Sequence, residues 1–263
     1  MSPLSLTVRD STTMLRRNLL HARRYPSLTL NVLLTPVVLL LLFVYVFGDT
    51  MSAGITGSVD RDVYVTYLLP GILVMTIGGT ALGTAVSVAG DMSQGIIDRF
   101  RTMAISRASI LVGHVVGAVL KTLMSLAFVL ALGLAIGFRP EADAFDWIAA
   151  VGVLTLASLA LTWIAVALGM ASPTPEGASN NGLPLMLLPF LSSAFVPLDA
   201  MPGWFRPIAE YQPFTPVIET LRGLLLGDPI GAKNAVLAVA WCVVLSVLGY
   251  LWSKTLFNRE SRR

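Results

Sequence analysis

The chain has 263 residues, 55% of them hydrophobic and only 13% charged, with a formal net charge of +3. An average soluble domain is roughly 25% charged, so this composition excludes one or two soluble domains and indicates an all-α, polytopic membrane protein. Arginine heavily outnumbers lysine, which occurs only at Lys121, Lys233 and Lys254, a weak sign of a high-GC bacterial genome.

Residues 1–27 read as an amphipathic helix. Val8, Thr12, Leu15, Leu19 and Ala22 recur at helical spacing while Arg9, Arg16 and Arg23 share a flank. That pattern suits a helix lying in the membrane interface with its basic side towards lipid phosphates; a solvated basic tail is the alternative. The arginine-rich stretch is too long for the n-region of a signal peptide, and no small-x-small site follows Phe47. The first apolar run is therefore read as an uncleaved helix.

Six segments reach the roughly 20 apolar residues that a hydrocarbon core requires: 28–47, 63–89, 110–138, 147–170, 178–196 and 235–251. They make residues 28–257 a six-helix transmembrane domain, followed by a short tail, 258–263. Pro36, Pro184 and Pro189 should kink their helices, and Asn180, Asn181 and Pro184 interrupt the start of the fifth. Orientation follows from the basic residues. Twelve of the 18 gather with the termini and the loop 90–109, and five on the opposite side, where Asp49, Asp60, Asp62, Glu141, Asp143 and Asp146 also lie. Both termini are then cytoplasmic in a multi-pass bacterial plasma-membrane protein.

Between the second and third runs, residues 95–106 read GIIDRFRTMAIS. A plain loop would be polar and turn-rich. This one places Ile96, Ile97, Phe100 and Met103 at helical spacing around Asp98, Arg99 and Arg101, with Gly95 at its start. It is an amphipathic helix that either docks on a cytoplasmic partner or rests on lipid. In the third run, His114 and Lys121 lie seven residues apart on one face. Lys121 either lines a central cavity and meets anionic or polar substrate groups, or bonds to carbonyls and hydroxyls inside the bundle with His114 near the headgroups. The pairs Gly79/Gly83, Gly113/Gly117 and Gly133/Gly137 permit close helix packing, within the subunit or at a dimer seam.

Residues 197–227 are too broken by prolines to span and too apolar, with Trp204, Phe205, Tyr211 and Phe214, to be a free loop. Two short helices dipping into the outer leaflet fit both features. The second would be N-capped by Thr215 with Pro216 at its first position, and ended by Gly227. The lone Cys242 lies in the last apolar run as a small buried hydrophobe.

No GxxxxGK[ST] run, HExxH, GxSxG or Cys/His metal cluster occurs, and no acid lies at a helix centre. Energy for any transport is expected from a partner. At GDMSQGIIDRFRTMAISRASILVGHVVG and FVPLDAMPGWFRPIAEYQPFTPVIETLRGLLLG the sequence resembles the type-2 family of ABC exporter permeases, particularly the daunorubicin-resistance-like branch. The resemblance implies that Gly95, Ile96, Ile97, Asp98, Arg99, Phe100, Arg101 and Met103 form a coupling helix docked in a groove of a separate ATPase. It also implies that re-entrant extracellular helices, with Pro202, Trp204, Phe205, Pro213, Pro216, Glu219 and Arg222, close the outer end of the pathway. Gln212 departs from the asparagine that family members often carry before the proline.

By this resemblance the chain is expected to be a transport subunit, not an enzyme. It would pair with a second copy or a sister permease and bind membrane lipids but no nucleic acid. It would hold no cofactor of its own, ATP and magnesium residing on two ATPase copies. The expected cargo is an amphipathic drug or antibiotic, with a lipid or lipid-linked glycan as the alternative. A lipid-modifying membrane enzyme, or an ATP-independent channel or scaffold, are the readings from other classes.

Overall fold

The computed structural model describes residues 26–50, 61–94, 107–229 and 231–260, with side chains of the first helix from Leu34 onward. Helix α1 (Pro26–Tyr45) is followed by α2 (Arg61–Ser93), α3 (Arg107–Ile136), α4 (Ala144–Ala171) and α5 (Pro175–Leu187). Two 3-10 turns, Leu188–Leu191 and Leu198–Ala200, lead to the short α6 (Arg206–Tyr211) and α7 (Phe214–Leu226), and α8 (Ala232–Glu260) closes the chain. No strand occurs among the described residues. The interfacial helix expected at 1–27 lies outside them, apart from its last two residues, which open α1.

Four helices are by themselves long and apolar enough to cross a membrane, over Asp62–Ser93, Val112–Ile136, Ala144–Ala171 and Ala232–Asn258. The described apolar part of α1, Leu34–Tyr45, is shorter. The fifth expected span is not one continuous helix. α5 has 13 residues, about 20 Å at 1.5 Å per residue. Pro184 and Pro189 each lack an N–H for the helical ladder, and the chain tightens into a 3-10 turn before breaking at Ser192.

α2 is the central element and packs against α1, α3, α4, α5 and α7. Tyr64, Leu68, Leu69, Ile72, Leu73 and Ile77 on it are almost wholly buried. The closest approaches use single glycines: a Cβ on Gly78 would stand 2.3 Å from the Leu185 carbonyl oxygen, and one on Gly169 2.5 Å from that of Ala85. Of the spaced pairs, Gly133 faces the Leu69 side chain, whereas nothing lies within 4 Å of a Cβ on Gly79. α4 and α8 make the most extensive helix contact, with Trp163 edge-on to Tyr250 at 5.1 Å.

The bundle has two distinct ends. At one, Asp91 at the end of α2 meets His114 near the start of α3, and Asn181 donates to the Ser172 hydroxyl between α5 and α4 at 3.0 Å. At the other, the Glu141 N–H donates to the Leu225 carbonyl at 3.0 Å, and Asp143 caps α4 in a reciprocal box with Asp146. Phe195, just after the break, packs on Phe43 of α1 at 4.4 Å. α5 with its 3-10 extension therefore runs from the Asp91 end to the opposite one.

Candidate functional site

Both short helices stand at the end opposite Asp91. α7 stops at Gly227, whose φ of 69° is left-handed, a conformation that costs glycine nothing. Its start differs from expectation. Phe214 is the first helical residue and Pro213 the cap position, with no side-chain cap bond. Thr215 is instead a tertiary link: its hydroxyl donates to the Ala209 carbonyl and accepts from the Ser193 N–H. The Ser/Thr-Pro signature is the same in both uses, so sequence alone could not separate them.

Arg222 on α7 is mostly buried, with 11% of its side chain exposed, against 26% for Glu219 one turn earlier. Its guanidinium donates to Glu219 Oε1 at 2.6 Å, to the Ser193 carbonyl at 3.0 Å and to the Tyr67 carbonyl at 3.2 Å. The same group lies 3.8 Å above the centre of the Tyr67 ring. The Tyr67 hydroxyl in turn donates to the Ser193 carbonyl at 2.9 Å. Ser193 can accept twice because the break after Leu191 removes its carbonyl from any helical ladder. One cation thus clamps α7, the start of α2 and the broken end of the α5 segment. Charge-assisted bonds of this kind are each worth about 1.5–3 kcal/mol.

The clamp is incompletely satisfied. Arg222 Nε, the Ser193 hydroxyl, the Tyr64 hydroxyl and Gln212 Nε2 are buried without a hydrogen-bond partner among the described residues. Native interiors leave few such groups, and these four stand at the clamp end of the bundle; a fifth, the Ser246 hydroxyl, is on α8. Outside the clamp, Trp204 is 76% exposed and packs edge-on to Phe205 at 5.5 Å. Lys233 bonds Glu210 at 2.7 Å, which holds the Glu210 carboxyl below its ordinary range.

Of the expected outer residues, the structure thus unites Glu219 and Arg222. Pro213 and Pro216 bracket the start of α7, with Pro216 buried, while Pro202, Trp204 and Phe205 form a separate exposed turn. Tyr67, Ser193 and Thr215 complete the clamp and were not anticipated in it. The expected coupling residues from Gly95 to Met103 lie outside the described residues. The root of their loop is described: His114 Nε2 stands 3.4 Å from Asp91 Oδ2, both side chains mostly buried at 11% and 18% exposure.

Lys121 is half-buried. It lies on α3 beside the exposed Leu120 and the buried Thr122, which donates to the Thr80 hydroxyl at 2.9 Å. Among the described residues its ammonium meets no carboxylate, carbonyl or hydroxyl, so the expected bonding inside the bundle is not seen there. A lysine at the centre of a spanning helix costs about 2.5–3.5 kcal/mol on insertion scales. His114 pairs with Asp91, and the two basic groups share a face without a common partner.

Long apolar helices, with broad exposed apolar faces on α1, α3 and α8, define a multi-pass membrane protein. Within that class the chain belongs to the ABC-2 type transporter family, whose model matches residues 10–226. It is 30% identical over 217 residues to the daunorubicin resistance ABC transporter permease protein DrrB1 of Streptomyces coeruleorubidus, covering 82% of this chain and 74% of that one. It is 25% identical over 231 residues to a probable doxorubicin resistance ABC transporter permease protein, DrrC, of Mycobacterium tuberculosis, covering 83% and 81%. Nodulation protein J of Rhizobium leguminosarum bv. viciae shares 23% over 227 residues, 84% and 85% of the two chains. This chain is accordingly a membrane permease component of an ABC transporter.

Proposed function

We propose that this chain is the membrane-spanning subunit of an ATP-driven exporter that moves an amphipathic drug or antibiotic out of a bacterial cell. The energy comes from a separately encoded ATPase, with ATP and magnesium bound there. Two permease copies, or this chain and a sister, enclose the pathway. Six crossings are made by α1, α2, α3, α4, the α5 segment with its 3-10 extension, and α8. Both termini and the loop 90–109 are cytoplasmic, and α6 and α7 form the re-entrant outer gate.

The observation that carries this reading is the continuity of α2. One helix holds Tyr67 of the clamp and, 24 residues on, Asp91 at the root of the coupling loop, about 36 Å away at 1.5 Å per residue. Movement imposed on the loop by ATPase closure reaches the clamp through a single rigid element. Names of relatives that cite daunorubicin and doxorubicin resistance support a drug-like cargo.

The coupling role is tested by co-expressing the chain with the neighbouring P-loop ATPase and replacing Arg99 by Glu and Phe100 by Ala. Copurification and ATP-dependent transport should both fall at least tenfold while the permease itself remains folded and membrane-inserted. Unchanged binding and unchanged transport would refute docking through this loop.

A further inference from the structure

We infer that Lys121 marks an intramembrane binding site for the acidic headgroup of the cargo, so that the transported amphiphile carries a phosphate, sulfate or carboxylate. This rests on the export reading above and narrows its substrate class to acidic amphiphiles, which sets this chain apart from relatives named for resistance to daunorubicin and doxorubicin, both of them amines.

Lys121 sits deep. It is 14 residues from Arg107 and 15 from Ile136, the ends of α3, or about 21 Å and 22 Å along the helix. The Thr122–Thr80 bond fixes the same level on α2, whose span runs from Asp62 to Ser93. Both helices thus place Lys121 well within a core about 30 Å thick. A lysine stem reaches about 6 Å, so snorkelling from this level does not bring the ammonium to the interface.

The acidic residues described on the spanning helices stand at their ends: Asp62 and Asp91 on α2, Asp146 on α4, Glu176 on α5 and Glu260 on α8. Asp91 is engaged by His114. Ser125, one turn on from Lys121, donates its hydroxyl proton to the Lys121 carbonyl at 3.1 Å, and Thr122 shares its single proton between the Thr80 hydroxyl and the Ala118 carbonyl. No described acid stands at this level.

Geometry selects the occupant. An ordinary bilayer lipid keeps its phosphate at the interface and cannot place it at the level of Lys121. A molecule in transit can. Leu120, Met124 and Phe128 form an exposed apolar strip on α3 beside Lys121, with Met124 65% exposed. An amphiphile lying along that strip would set its apolar body on these three side chains and its anion against the ammonium. A quaternary amine in the same place would meet like charge without compensation.

The test uses the purified complex of this chain with its ATPase in phosphatidylcholine nanodiscs, and reads stimulation of ATP hydrolysis. The probes share one tail: dodecyl phosphate, dodecyl maltoside and dodecyltrimethylammonium. Dodecyl phosphate should stimulate, Lys121→Met should raise its half-maximal concentration at least tenfold, and Lys121→Arg should restore it. The response to dodecyl maltoside should move less than twofold, and Lys121→Glu should transfer the preference to dodecyltrimethylammonium. Equal losses for all probes, or none for dodecyl phosphate, would overturn the proposal. So would a Lys121-dependent response to phosphatidylglycerol alone, which would make this a lipid site. A complex lacking ATP-dependent activity with every probe would instead refute the export reading on which the proposal rests. Lys121→Met removes a half-buried charge and keeps an unbranched apolar stem, so the variant is expected to stay folded, checked by its elution and melting.

Discussion

A guanidinium is tolerated at Arg222 because its terminal nitrogens meet a carboxylate and two main-chain carbonyls while its face covers the Tyr67 ring. Arg222→Met should therefore lower the melting temperature in detergent markedly, by about 3 kcal/mol of stability, the low end of the range for breaking a buried pair. Glu219, more exposed, is screened by solvent, and Glu219→Gln should cost only about 1 kcal/mol because a neutral acceptor remains. The Glu210–Lys233 pair makes a contrast. The hydrogen bond from Lys233 holds the Glu210 carboxyl below its ordinary value of 4.5. Its contribution is present above that unfolded value and is lost as pH falls through the lower folded one. The pair faces solvent, so Glu210→Gln should shift melting far less than Arg222→Met, and high salt should erase the difference between Glu210→Gln and the parent.

Among the elements, α2, α3, α4 and α8 were legible because each is one long apolar run with few charges; α2, α4 and α8 cover the spans read for them from the sequence, and α3 ends at Ile136, two residues short of the span read to Phe138. The α5 segment was legible only in part: kinks at Pro184 and Pro189 were expected, but the end of the helix at Leu187 was not. Its apolar residues run on past Leu187, but Pro184 and Pro189 remove ladder donors in succession, and the count of apolar residues is blind to that. The clamp was half legible. Glu219 and Arg222 stand one helical turn apart, whereas the carbonyls that Arg222 satisfies lie 155 and 29 residues away in the chain. Backbone acceptors leave no trace in residue type. The glycine pairs were legible only in part for a related reason, since spacing identifies a small-residue row and not which member is packed: Gly133 meets the Leu69 side chain, and Gly79 meets nothing within 4 Å. Gly78→Ala should thus abolish proper folding, with its Cβ 2.3 Å from the Leu185 carbonyl oxygen. Gly79→Ala, with open space around it, should be neutral or gain up to about 1 kcal/mol of helix propensity. Fluorescence-detected gel filtration of the two variants side by side checks this.

The whole molecule is organised as a rigid helix, α2, between two polar sites. At one end His114 and Asp91 brace the root of a loop; at the other stands the Arg222 clamp, where four buried polar atoms lack a partner among the described residues. On the proposed export reading, ATP turnover on the partner ATPase is passed through the first site and opens the second towards the outside. Ser193 is fully buried in the clamp, and Cys242 is the chain's one cysteine. Ser193→Cys in a Cys242→Ser background therefore carries a single reporter thiol. Intact cells bearing the complex would be exposed to a membrane-impermeant maleimide, with the ATPase either active or inactivated in its catalytic glutamate. The thiol should be labelled while ATP is turned over and protected otherwise. Equal protection in both, with export proceeding, would contradict the account.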